Sequence, residues 1–143
     1  MAELTDMIYD KITELCSKGD LKADSGEYNK AVHFYQQALD KLPEPKTDWE
    51  AATWIYAALG DAYWFMSDYE TSKNCFYNAC NCPDGITNPF IIFRLGQIWA
   101  ECNVSEKASE YLLRAYMLDP KVFEEEDGKY YNIIKNVFIK DVL

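Results

Sequence analysis

Tyr56-Ala57-Ala58-Leu59-Gly60-Asp61-Ala62-Tyr63, with Ser72, Phe76, Ala79 and Pro83 downstream, decides the fold. Counted from Gly60, the small residue Ser72 comes 12 positions later, the aromatic Phe76 at 16, Ala79 at 19 and Pro83 at 23. Gly19 starts the same series, with Ala31 at 12, Tyr35 at 16, Ala38 at 19 and Pro43 at 24. Gly96 starts it again, with Ala108, Leu112, Ala115 and Pro120 at those offsets. Three units in one register define an internal repeat, and a repeat of this length is one supersecondary unit stacked on its neighbours.

Each unit reads as a hairpin of two helices. Glycine lets the first helix approach the second closely, and Ala31, Ser72 and Ala108 do the same from the other side. Tyr35, Phe76 and Leu112 are expected to fill the space between repeats. Ser67-Asp68-Tyr69-Glu70 reads as a capping box opening a second helix, and Asn103 precedes Glu106 in the same way. Asn88-Pro89 reads as an N-cap followed by proline at the first helical position. Thr47-Asp48-Trp49-Glu50 is expected to start the long first helix of the middle unit. Leu4 to Ser17, with Ile8, Ile12 and Leu15 at helical spacing, gives the extended first helix of the first unit. Residues 128–143 carry apolar positions at helical spacing, among them Ile133, Ile134, Val137, Phe138, Ile139 and Leu143, and read as a helix that caps the last hairpin. The acidic run Glu124-Glu125-Glu126-Asp127 before it reads either as a solvated helix start or as a partner contact.

These residues resemble the tetratricopeptide repeat (TPR), in which an aromatic, then Leu-Gly, then Tyr are followed by Ala, Phe and Pro at a period of about 34. The middle unit carries the pattern best, as Tyr56-x-x-Leu59-Gly60-x-x-Tyr63. The third reads Ile92-x-x-Leu95-Gly96-x-x-Trp99, and the first is degenerate, Leu15-x-x-Lys18-Gly19-x-x-Lys22. The glycines lie 41 and 36 residues apart, so insertions separate the units, the longer one holding Pro43-Glu44-Pro45-Lys46-Thr47. The resemblance implies an all-α fold, a TPR-type right-handed superhelix of three helix-turn-helix repeats plus a C-terminal capping helix. It implies one domain over residues 1–143, with repeats at 4–45, 46–85 and 87–121.

Composition narrows the function. The chain of 143 residues carries 14 Lys and Arg against 24 Asp and Glu, a net charge of −10. Nucleic-acid affinity comes mainly from cations that displace counterions, so no nucleic-acid partner is expected. The same charge disfavours an anionic membrane surface and favours a basic partner. No run approaches the roughly 18 apolar residues of a membrane span, and the acidic start has no apolar signal core, so a cytoplasmic protein is expected. Cys16, Cys75, Cys80, Cys82 and Cys102 are an odd count, which fits reduced thiols. Cys80-x-Cys82 is the one tight pair, and the sole histidine, His33, is far from it; a metal site needs more ligands than that. No metal and no cofactor are expected. His33 is expected to point outward, no catalytic motif is present, and the chain is not expected to be an enzyme.

In the TPR-like arrangement, the first helix of each repeat lines a concave groove, with one stripe facing it. That stripe gives the candidate partner-binding residues. Repeat one contributes Asp20 and Asp24; repeat two contributes Trp54, Asp61, Trp64 and Phe65; repeat three contributes Phe90, Phe93, Arg94, Gln97 and Glu101. Aromatic anchors with a charged rim are typical of a protein-binding surface. The competing reading is that some of these aromatics pack against the second helices. In co-chaperones that hold the tail of heat-shock chaperones, a clamp of Lys, Asn and Arg grips a carboxylate. The matching positions here are Cys16, Asp20, Ala58, Phe90 and Arg94, and only Arg94 fits.

The stretches Asp48-Trp49-Glu50-Ala51-Ala52-Thr53-Trp54, Leu59-Gly60-Asp61-Ala62-Tyr63, Asn88-Pro89-Phe90-Ile91-Ile92-Phe93-Arg94-Leu95-Gly96 and Leu113-Arg114-Ala115-Tyr116-Met117-Leu118 also resemble small stand-alone bacterial TPR proteins. Such proteins are often encoded beside polymorphic toxins and are taken to be immunity proteins. That resemblance implies tight binding to a toxin domain, and a basic, nuclease-like domain would suit an acidic groove. The alternatives are a class II type III secretion chaperone, which would hold an extended apolar segment of a translocator, and a generic scaffold.

Overall fold

A computed structural model describes residues 4–124 and 128–142, and of residues 136–142 the backbone course only. Among the described residues all regular structure is helical: α1 Asp6–Asp24, α2 Tyr28–Asp40, α3 Glu50–Phe65, α4 Tyr69–Cys80, α5 Pro89–Glu101, α6 Ser105–Leu118 and α7 Lys129–Val142. The chain forms two compact units, Met1–Asp84 and Gly85–Leu143. Unit 1 holds the hairpins α1–α2 and α3–α4; unit 2 holds α5–α6 and α7.

The repeat register becomes three close helix crossings. A Cβ built on Gly19 would lie 2.6 Å from the Tyr35 ring, one on Gly60 2.6 Å from the Phe76 ring, and one on Gly96 2.7 Å from Leu112. The large residue thus seats on the glycine of its own hairpin, where the sequence pattern had placed it between repeats. Phe76 and Leu112 are wholly buried, and each such side chain stabilises the fold by about 1.5–3 kcal/mol. Ala31, Ser72 and Ala108 are buried beside these crossings. Ser72 also donates its hydroxyl to the Gly60 carbonyl at 2.7 Å, so its polar atom is satisfied in the core. In unit 1, α2 packs on α3 through a core that includes Ile12, Leu39, Ile55 and Leu59.

The first helix of each hairpin ends in the same way. Gly26, Ser67 and Asn103 each follow their repeat glycine by seven positions, and all three have positive φ, at 78°, 61° and 62°. The next residue's amide then reaches back to the carbonyl five residues earlier, as Glu27 N to Lys22 O, Asp68 N to Tyr63 O and Val104 N to Trp99 O. This is a Schellman turn, whose left-handed residue suits glycine best.

The turn corrects two of the expected caps. Ser67 and Asn103 occupy the left-handed position and open no helix. Asp68 caps α4, accepting from Thr71 N, and Val104 holds the cap position of α6 with no side-chain bond. The expected start at Thr47 is also shifted: Lys46–Asp48 is a 3-10 turn and α3 begins at Glu50. Trp49 Nε1 donates to Pro43 O at 2.8 Å and folds the insertion back on itself. The first helix of the first unit runs beyond Ser17 to Asp24 and is capped by Thr5. Asn88 caps α5 as its sequence implies, accepting from Phe90 N and Ile91 N, with Pro89 at the first turn.

In unit 2, α7 packs against α6, with Tyr130 and Ile134 buried. Phe123 joins Phe93 and Tyr116 in an edge-to-face aromatic cluster, and Tyr130 meets Phe93 at 6.0 Å. Residues 125–127 of the acidic run, and the side chains of Val137, Phe138, Ile139 and Leu143, lie outside the described residues.

Candidate functional site

Three of the sequence-derived acids meet in unit 1. Asp20 and Asp24 on α1 and Asp61 on α3 face one another across a cleft of about 520 Å³. Their spacing explains this. Asp20 and Asp24 are one turn apart and share a face of α1. Phe65 is one turn beyond Asp61 on α3, and small residues, Ala23, Ala58 and Ala62, leave the space between the helices open. Phe65 is 54% exposed and stacks on Tyr28 with ring centroids 5.4 Å apart and planes only 12° off parallel. Tyr35 closes the floor, donating its hydroxyl to Asp20 Oδ1 at 2.6 Å. Burial, and next the bond to Asp20, raise the Tyr35 hydroxyl well above its ordinary pKa, so it stays a donor.

Trp54 belongs to a second cleft of about 460 Å³ at the other end of the same two helices. Leu4, Asp6 and Tyr9 line it from the α1 side, and Trp49, Glu50 and Trp54 from the start of α3. Trp64 is half-buried, with its ring 5.2 Å from that of Tyr69. That packing on the second helix is the alternative the sequence left open.

Unit 2 places its candidates differently. Every residue from Ile91 to Ile98 is buried, because α5 is apolar nearly all round and such a helix has no free stripe. Phe93 lies against Phe123 at 4.6 Å, and the buried Arg94 donates from Nη1 to the buried Gln97 Oε1 at 2.8 Å. Phe93, Arg94 and Gln97 are therefore interior groups, where an open stripe was expected. Phe90 remains 39% exposed, with the Arg94 guanidinium 5.4 Å from its ring centre. Glu101 accepts from Lys129 Nζ and from Tyr130 Oη, which ties the end of α5 to the start of α7. Those two bonds lower the Glu101 pKa.

Burial disfavours the thiolate at three cysteines. Burial first, and Asp20 second, push Cys16 up to about 11, and burial and Asp68 do the same for Cys75. Burial also raises Cys82. Among the described residues no group of three His, Cys, Asp or Glu could hold a metal ion, and no helix is long and apolar enough to cross a membrane. His33 is exposed, as expected, and pairs with Gln37.

The sequence did not single out Tyr28, Tyr9 or Trp49 as surface residues, nor Tyr35 as the partner of Asp20. The Tyr28–Phe65 stack joins the start of α2 to the end of α3. No periodicity within one helix reports such a pairing.

A tetratricopeptide repeat family model matches residues 15–40 and 55–81. The hairpins of unit 1 are tetratricopeptide repeats. The chain as a whole has the TPR fold, by likeness to solved structures. The Yersinia enterocolitica type III secretion chaperone SycD, in complex with a peptide of the translocator YopD, superposes with a TM-score of 0.74 at 16% identity, covering 96% of this chain and 99% of that one. The first TPR domain of Spaghetti, bound to an HSP90 peptide, gives 0.70 at 15% identity, covering 94% and 95%. The second TPR domain of human RPAP3, bound to an HSP70 peptide, gives 0.70 at 12% identity, covering 91% and 97%. At such identities the likeness establishes the fold alone. In sequence, no curated protein matches the chain. The tetratricopeptide repeat is in general a non-catalytic scaffold for protein interaction, and these neighbours bind peptides.

Proposed function

We propose that this chain is a non-catalytic protein-binding module that takes a basic partner on the α1–α3 face of unit 1, and that the partner is a toxin domain which it neutralises as an immunity protein. The observation that carries the basic partner is the meeting of Asp20, Asp24 and Asp61 in one cleft beside the exposed ring of Phe65. An acidic patch of this kind speeds association with a cationic domain and selects against acidic ones. An aromatic face beside it adds cation–π attraction to Arg or Lys. The toxin assignment rests on the sequence resemblance to stand-alone bacterial TPR proteins.

The clefts disfavour the acidic tails that the heat-shock peptides offer to Spaghetti and RPAP3, because three carboxylates would repel them. A secretion chaperone is the second reading, supported by the likeness to SycD over nearly the whole of both chains. It predicts an extended apolar segment as ligand, with the Trp54 end of the face as its pocket.

The test is a pull-down with the tagged chain from the cells that make it, washed at low and then high salt. One stoichiometric basic domain, released by salt and inhibited by the purified chain, supports the immunity reading. Replacing Asp20, Asp24 and Asp61 with Lys should then abolish capture while far-UV circular dichroism is unchanged. Capture of a membrane-active secreted protein, held equally at high salt, moves the assignment to the chaperone. Glu101 is left out of the charge reversal because its carboxylate is engaged with Lys129 and Tyr130.

A further inference from the structure

The two clefts of unit 1 lie on one face. Both are walled by α1 on one side and α3 on the other, one at the helix starts and one at the helix ends. Each combines carboxylates with an aromatic surface. At the starts these are Asp6 and Glu50 with Tyr9 and Trp54; at the ends, Asp20, Asp24 and Asp61 with Phe65. Tyr9 is 52% exposed and Trp54 39%. The cations of α1 are turned elsewhere. Lys11 and Lys18 line a separate recess between α1 and α2 with Phe34, and both pair with Glu14. Lys22 pairs with Glu27 at the turn. Among the described residues no lysine or arginine lines either cleft.

Helix geometry fixes the distance between the two acidic ends. Asp6 to Asp20 is fourteen residues of α1, and at a rise of 1.5 Å that is about 21 Å. Glu50 to Asp61 is eleven residues of α3, or about 17 Å. An extended chain advances about 3.3 Å per residue and points alternate side chains to the same side. The even spacing that fits is six residues, about 20 Å.

We propose that this face reads an extended partner segment at two points, through two Arg or Lys side chains at positions i and i+6, one in each cleft. The inference rests on the reading of the α1–α3 face as the docking surface for a basic partner, and adds to it a spacing rule. Complementary charge commits the occupant to a cationic segment. The two-ended layout commits it to a segment that carries its charges apart, with a small or apolar stretch between them lying over Thr13 and Ser17 of α1 and Ala57 of α3, which helical spacing places between the two clefts. Two linked contacts act at high effective concentration, so the second strengthens binding without a new partner.

The test uses fluorescein-labelled synthetic peptides and the full chain, read by anisotropy at low salt. The peptides are otherwise uncharged and Pro-free, with arginine at i and i+6, at i and i+3, or at i alone. The i,i+6 peptide should bind at least about tenfold more tightly than either other peptide, as linked contacts allow. Asp6→Asn with Glu50→Gln should bring it to the single-arginine level, and Asp24→Asn with Asp61→Asn should do the same from the other end. Circular dichroism checks that both variants fold. Equal binding of the i,i+3 and i,i+6 peptides, or no effect of the Asp6 and Glu50 pair, overturns the spacing rule while the basic-partner reading stands. If no arginine peptide binds above a neutral control and the Asp24 and Asp61 pair changes nothing, both fail together.

Discussion

Tyr35 reaches Asp20 across 2.6 Å from a ring that is itself seated on Gly19. One side chain thus closes the α1–α2 crossing with its face and orients a cleft carboxylate with its hydroxyl. Tyr35→Phe separates the two roles. The ring keeps its seat, while a hydrogen bond to a charged acceptor is lost. The expected cost is about 1.5–3 kcal/mol in a urea melt. In the Asp20→Asn background the same substitution should cost clearly less. Equal costs in both backgrounds would show that the charge of the acceptor adds nothing to the bond.

The repeat glycines should be intolerant of even one methyl. In Gly60→Ala the new Cβ would meet the Phe76 ring at 2.6 Å, and Phe76 is wholly buried. Overpacking of this kind costs about 1–3 kcal/mol, against the small gain of replacing glycine within a helix. Gly26→Ala is the control. Nothing lies within 4 Å of its Cβ, so only its φ of 78° resists. Thermal melts should show both substitutions destabilising, and Phe76→Leu, which removes the ring that meets the new Cβ, should reduce the added cost of Gly60→Ala while leaving that of Gly26→Ala unchanged.

The Schellman turns predict a gain. Ser67 holds φ at 61° at the position where repeat one has Gly26. A left-handed backbone costs a side-chain-bearing residue about 1–2 kcal/mol, partly offset by the greater entropy glycine loses on folding. Ser67→Gly should therefore raise the melting midpoint. Asn103→Gly should raise it less, because Asn tolerates this region. A fall on Ser67→Gly would mean that the hydroxyl has a role the turn geometry does not require.

The register Gly, small, large, Ala was legible because each position answers a local steric demand at a helix crossing. Gly60 against Phe76 is the clearest case. The ends of helices were less legible. Ser67-Asp68-Tyr69-Glu70 satisfies a capping pattern at Ser67, but the Schellman turn takes Ser67 for its left-handed residue and passes the cap to Asp68. The partner stripe was legible where the helix is amphipathic, which brought Asp20, Asp24, Asp61 and Phe65 into one cleft. It was not legible on α5, where Phe93 and Gln97 share a helix with apolar residues on every side. Glu101 was read as a surface acid because its partners, Lys129 and Tyr130, come from a helix distant in sequence.

The Glu101 bonds give an acid-side prediction. The Glu101 pKa is lowered in the folded chain, chiefly by the bond from Lys129 and then by that from Tyr130. Its contribution is therefore complete above the unfolded value near 4.5 and is lost as pH falls through the lower folded value. Glu101→Gln should lower the melting temperature at about pH 6, and the gap to wild type should shrink on acidification below about 4.5. A gap that stays constant to low pH would mean that the ionisation of Glu101 contributes nothing to the difference, and no gap at any pH that packing of Tyr130 and Ile134 alone holds α7.

The thiols of the buried Cys16 and the half-buried Cys75 give the opposite sign. Cys16 and Cys75 are raised from 9.0 to about 11, mainly by burial. A thiol is neutral when protonated, so a raised folded pKa means that the fold favours the protonated form. Between pH 9 and 11 the unfolded chain ionises these thiols and the folded chain does not. Stability should thus be unaffected below the unfolded value, fall as pH rises through that window, and level off above it. Each group gives a slope of at most about 1.4 kcal/mol per pH unit. Tyr35, raised by burial and by its bond to Asp20, extends the decline to still higher pH. Urea melts of wild type and of Cys16→Ala with Cys75→Ala separate these terms. The variant should start lower, because a small side chain is trimmed from a buried site at Cys16 and a half-buried one at Cys75, yet decline less steeply between pH 9 and 11. Parallel declines would show that both thiols ionise in the folded chain at their ordinary pKa and that burial does not protect them.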